Sequence, residues 1–281
     1  MSPAPTHLDD HRDRGRLRTV TVGAAALVAC GLIVLGDAAV GQATCSRGAE
    51  TSQATARPLA GEVIVIDPGH NPGNASHAAQ INRAVDFGAG MKPCDTTGTA
   101  TLDGYTEAAY TLDVAYRVRT LLRTAGATVI LTHTATKPAW GPCITERAGI
   151  GNRSNAAAAV SIHADGGPSS GRGFTTIIPA SPIPAVGLTR GMIANDQKLA
   201  IAVRGAYRSA TGMPYSTYLG TRAIYASNAY GGTDLSRVPK IFIETGNMRN
   251  RTDAALLESS AFRQRAARGI AAGIALFVGN R

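Results

Sequence analysis

Four side chains in this sequence sit where hydrolytic chemistry is possible. His70 follows the apolar run of "EVIVIDPGH", His163 follows "AAVSI", and Glu244 ends "KIFIE". Each run reads as a strand, so each polar group leaves a strand at its carboxyl end. Glu107 lies in the first turn of a helical pattern whose N-terminus would face the same edge. Two imidazoles and one carboxylate form the ligand set of a catalytic zinc that keeps one position open. A second carboxylate would then take a proton from the activated water. Spacing alone does not say which glutamate plays which part. The region after residue 44 has four histidines, His70, His77, His133 and His163, and a lone histidine is more often a surface or core residue than a ligand. No HExxH helix is present. Glu107 also has a plain structural reason, because the helix dipole favours a carboxylate in a first turn. A carboxylate after "KIFI" has a weaker one. Asp67 either orients a ligand from behind or satisfies the turn at Pro68.

The elements that would hold these groups alternate in type. Strands are expected over 62–67, 128–132, 158–165, 173–180 and 238–247. Helices are expected over 106–126, 145–156, 195–212 and 254–279, the first with Thr106 as N-cap and a stripe of Leu112, Ala115, Val118 and Leu122. Apolar strands alternating with helices predict an α/β fold: one domain, an open twisted, mostly parallel sheet of about six strands, and helices on both faces. Such sheets bind ligands at the carboxyl ends of their strands. Residues 71–105 form an unusually long loop, of the kind that is functional or pinned. Cys94 lies within it. Cys94 and Cys143 lack the spacing of a metal site, and a disulfide between them is expected.

The N-terminus points to an oxidising compartment. Arg12, Arg14, Arg16 and Arg18 precede the uncharged run "TVTVGAAALVACGLIVLG", and small residues follow. This reads as a signal peptide or N-terminal anchor over 1–43, then a linker over 44–61 and the folded domain over 62–281. The run is short for a spanning helix, which needs about 20 residues. Cys30 also allows a lipoprotein reading. Localisation is expected to be the periplasm or cell wall, with membrane contact only through an uncleaved N-terminal segment. Formal charge is +9, and the four arginines and four aspartates before residue 44 cancel, so the excess lies in the body. That suits a polyanionic partner such as a wall polymer. With no zinc finger, RNP motif or basic run, no nucleic-acid partner is expected.

The segments "IDPGH", "TEAAYTLDVAYRVRTLL", "SIHAD" and "VPKIFIETGNMRN", in this order, resemble the zinc-dependent N-acetylmuramoyl-L-alanine amidases of the amidase type 3 family. The resemblance spans residues 62–279 and is closest to exported, single-domain actinobacterial members. It implies one zinc per chain, with His70, Glu107 and His163 as ligands and Glu244 as catalytic base. It implies peptidoglycan or muropeptide fragments as substrate, cut between the lactyl group of muramic acid and L-Ala. The roles implied are wall remodelling, daughter-cell separation or fragment recycling, by a monomer. Two departures bear on pocket shape: Asn71 and Pro72 stand where the family often has Gly-Gly, and Thr245, Gly246, Asn247 and Met248 follow Glu244 where the family often continues as Glu-x-Gly-Phe. A zinc carboxypeptidase on wall peptides and a catalytically silent wall-binding protein are the competing readings. Both histidines and both glutamates are present, which argues against silence.

Overall fold

The computed structural model describes residues 57–281. The expected export segment and most of the linker lie outside the described residues. Within them no helix is long and apolar enough to cross a membrane.

Among the described residues eight strands run in chain order: β1 (Val63–Pro68), β2 (Ala84–Asp86), β3 (Met91–Pro93), β4 (Thr128–Leu131), β5 (Ala158–Asp165), β6 (Thr175–Ile178), β7 (Ile224–Ala226) and β8 (Lys240–Asn247). The α-helices are α1 (Ala78–Ile81), α2 (Glu107–Thr124), α3 (Ile144–Arg153), α4 (Arg190–Thr211), α5 (Gly231–Asp234), α6 (Arg251–Glu258) and α7 (Ser260–Gly279). Six strands form one sheet in the order β4-β1-β5-β8-β6-β7. The four strands β4, β1, β5 and β8 are parallel, β6 runs antiparallel to β8, and β7 is parallel to β6. This is the expected open, mostly parallel α/β sheet.

Side-chain alternation along the strands divides the sheet into two unlike faces. Ile64, Ile66, Val160, Ile162, Ile241 and Ile243 join the main core with α2, α4 and α7. Val65 and Ala159 point the other way, to a small cluster with Val238 and Ile150 of α3. Three long helices therefore cover one face, while the short α3 and α5 cover the other only in part. By the same alternation Asp67, Ser161, His163, Lys240, Phe242 and Glu244 belong to the thinly covered face.

Several boundaries differ from the sequence reading. Leu59, expected in the linker, is fully buried and its N–H donates to Ala125 O at 3.0 Å, so the folded unit starts before residue 62. The closing helix is two helices: Ser259 is extended (φ −75°, ψ 120°) and its side chain caps α7 by accepting from Phe262 N. Helix α4 starts at Arg190 rather than 195, capped by Thr189. The loop 71–105 contains α1 and the β2–β3 hairpin. Cys94 and Cys143 are bonded, with Cα atoms 4.3 Å apart, which ties this loop to the start of α3. Closing a loop of 49 residues contributes about 4 kcal/mol in the chain-entropy picture.

Candidate metal centre and active site

Strand β1 ends by turning through Pro68 and Gly69 into His70, whose φ of 60° is left-handed. A non-glycine residue stays there only when its surroundings hold it. Here Thr96 O lies 3.0 Å from His70 Nδ1, and the Arg147 guanidinium donates to His70 O at 2.9 Å. With its Nδ1–H on a carbonyl, His70 turns Nε2 to the cavity, 3.0 Å from Glu107 Oε2. Thr106 caps α2 by accepting from Ala109 N, which sets Glu107 at the helix entrance. Glu107 Oε1 lies 2.9 Å from His163 Nδ1 and accepts from Ala164 N. The other oxygen accepts from Thr99 N at 3.0 Å. The carboxylate thus sits between two imidazoles, and the three donor atoms lie within 4.8 Å of one another.

Two glycines allow this approach. A Cβ on Gly69 would fall 2.3 Å from His163 Cε1. A Cβ on Gly98 (φ 76°) would fall 2.6 Å from His70 Cδ2 and 2.8 Å from Glu107 Oε2.

Glu244 comes from the next strand over. It is the register partner of His163, so both side chains leave the same face of the sheet. Its Oε2 is buried with no hydrogen-bond partner. Burial, then Glu107 and Asp165, push the Glu244 carboxyl well above the usual range. Glu107 is driven the other way: burial would raise it, but His70 and His163 hold it low. Burial lowers the pKa of His70, yet Glu107 raises it further, and the balance is upward. For His163 burial prevails and its pKa falls. These four groups line one open cavity of about 410 Å³ with Lys92, Asp165, Tyr230 and Phe242, the last stacked on His163 at 3.8 Å between ring centroids.

Behind the cavity is a buried ionic cluster. Asp67 touches neither imidazole. It accepts from Thr132 and Ser161 and pairs with Arg147 at 2.8 Å and Lys240 at 3.2 Å. Burial alone would raise the Asp67 pKa, but Lys240 and Arg147 hold it far below the carboxylate range. Of the two readings of Asp67, direct orientation of a ligand ring is not what the structure shows, and its link to His70 runs through Arg147. That guanidinium also donates to Asp95 Oδ2 at 2.8 Å and to the carbonyls of Pro68, Gly141 and Pro142.

A family model described as N-acetylmuramoyl-L-alanine amidase matches residues 64–276. The chain belongs to this amidase family. An N-acetylmuramoyl-L-alanine amidase of Mycobacterium tuberculosis is 37% identical over 229 residues, covering 81% of this chain and 91% of that protein. The crystal structure of the amidase Ami1 from Mycobacterium smegmatis is similar with a TM-score of 0.73 at 36% identity, covering 79% of this chain and 99% of that one. Ami1 from Mycobacterium abscessus gives 0.70 at 37% identity, covering 78% and 99%. The chain is thus a hydrolase that acts on peptidoglycan at the amide between N-acetylmuramic acid and L-alanine.

The structure brings His70, Glu107, His163 and Glu244 of this amidase to one cavity. Arg147, Asp95, Thr96, Lys240 and Lys92 were not singled out by sequence. The available signals were slight: an arginine in a short helix beside Cys143, and a lysine heading an otherwise apolar strand.

Proposed function

We propose that this amidase works with one zinc held by His70, Glu107 and His163, and that Glu244 is its catalytic base. The observation that carries this reading is the convergence of two imidazoles and one carboxylate on one point, beside a second carboxylate with an orphaned oxygen. Nitrogen and oxygen donors in a three-residue set suit a catalytic zinc. Zinc bound there would polarise the scissile carbonyl and acidify a water molecule. The side chains supply the rest. Glu244 Oε2, buried and unpartnered, is free to take the proton of the attacking water and hand it to the departing amine of L-Ala. The Thr96 carbonyl fixes the tautomer of His70, so that its Nε2 stays a lone-pair donor. Phe242 backs the His163 ring and keeps water from that side. The products are an intact sugar and a stem peptide with a free L-Ala amine.

Export to the wall or periplasm belongs to the same proposal. The arginines before an apolar N-terminal run support it, as does a disulfide, which persists in oxidising compartments. The test is metal content and turnover on purified muropeptides. Wild type should hold one zinc per chain, and His163→Ala should lose both zinc and activity. A His163→Ala protein with full zinc and full activity would overturn the assignment.

A further inference from the structure

Outside the cavity, Arg204 and Arg208 of α4 share one aromatic ring, and Arg204 reaches the backbone of Arg222 just before the edge strand β7. The guanidinium carbons of Arg204 and Arg208, one turn apart on α4, lie 5.9 Å and 4.4 Å from the centroid of the Tyr215 ring. Arg204 Nη1 donates to Arg222 O at 3.2 Å, while Arg204 Nε is buried with no hydrogen-bond partner. Arg222 itself is exposed and left-handed, with φ 51°. Among the described residues none of the three has a carboxylate within 4.0 Å, as is true of most described arginines; Arg117, Arg147, Arg153, Arg172, Arg263 and Arg281 have one. The like charges of Arg204 and Arg208 on one ring repel each other, and an anion bound there would relieve that repulsion.

The position of the cluster matters. Thr175 of β6 pairs with Glu244, and Ile224 of β7 pairs with Thr176, so Arg222 lies at the same sheet edge as Glu244, two strands across. The loop after α4 carries Tyr215 to the arginines and Tyr218 to the cavity, where its hydroxyl donates to Asp165 at 2.8 Å. We propose that Arg204, Arg208 and Arg222 form an accessory site for a phosphodiester-bearing anionic polymer of the cell wall. Guanidinium groups match phosphate oxygens bidentately, and two of them are already ordered on an aromatic face. The site would hold the enzyme against the wall while the cavity beside it engages the stem peptide. The inference rests on the wall activity and not on the zinc assignment.

The test is equilibrium binding of poly(glycerol phosphate) to the full chain, wild type against R204Q/R208Q/R222Q, with turnover of a soluble muramoyl dipeptide measured in parallel. One arginine near an anionic surface is worth about fivefold in binding, so the triple variant should bind about 100-fold more weakly. The steepness of the salt dependence should fall as well. Turnover of the small substrate should be unchanged. Should the triple variant fold poorly, R208Q/R222Q alters only exposed side chains and should bind about 25-fold more weakly by the same reckoning. Unchanged polymer binding in a folded variant would overturn the proposal. So would wild-type binding to phosphatidylglycerol vesicles but not to the polymer, or a matching loss of dipeptide turnover.

Discussion

Arg147→Met probes how the catalytic edge is held. Arg147 is buried, with 4% exposure, and ties together three segments: the exit of β1, the loop at Asp95 and the approach to α3. Removing the guanidinium strips a partner from two buried carboxylates and a donor from four carbonyls. Breaking a buried pair from one side costs about 3–5 kcal/mol. Asp67 keeps Lys240, Thr132 and Ser161, and Asp95 keeps Asn74, so the loss should fall within that range rather than above it. Against a total of about 5–15 kcal/mol the variant is marginal but folded in the cold. The site should suffer separately. His70 would lose the donor on its carbonyl that secures its left-handed conformation, and loss of such support costs about 10–100-fold in metal affinity. Urea unfolding at pH 7 gives the first quantity, and zinc competition with a chelator at 10 °C gives the second. Arg147→Lys keeps the charge but cannot span the same acceptors, and should be intermediate in both. A stability loss below about 1 kcal/mol for Arg147→Met, with wild-type zinc affinity, would refute the reasoning.

Gly98→Ala places a methyl against His70 and Glu107 at a φ of 76°, and should weaken zinc binding by at least about tenfold in a chelator titration. An unchanged affinity would mean the loop is free to move away. Asp234 is buried with both oxygens unpartnered, and burial pushes its pKa up to about 7 against the pull of Lys92. The native state therefore keeps a proton that the unfolded chain releases near its ordinary value of 3.8. Its contribution is full below about pH 4 and is lost as pH rises towards 7. Asp234→Asn should flatten this part of the stability–pH curve and gain at most about 4 kcal/mol at pH 8 in chemical denaturation. A curve parallel to wild type would contradict it.

The strand exits at His70, His163 and Glu244 are readable because each follows a largely apolar run. Glu107 was readable because Thr106 marks where α2 begins. The ionic cluster was not, because its members are far apart in sequence: Lys240 reaches Asp67 across 173 residues, and only the order of the sheet unites them. Strand β7 has three residues, too few for a periodic pattern. The break at Ser259 involves neither glycine nor proline. There the serine does the work with its own side chain, by capping α7. Arg147 looks like an ordinary helix residue until β1, the 95–96 loop and α3 are folded around it.

The most direct measurement is mass spectrometry of a purified disaccharide–peptide muropeptide after incubation with zinc-loaded wild type and with Glu244→Gln. Wild type should release the whole stem peptide with a new L-Ala N-terminus and leave the disaccharide intact. Glu244→Gln should retain its zinc and release the same products about 10²–10⁴-fold more slowly. Shortened stems still attached to sugar, or a Glu244→Gln rate equal to wild type, would contradict it.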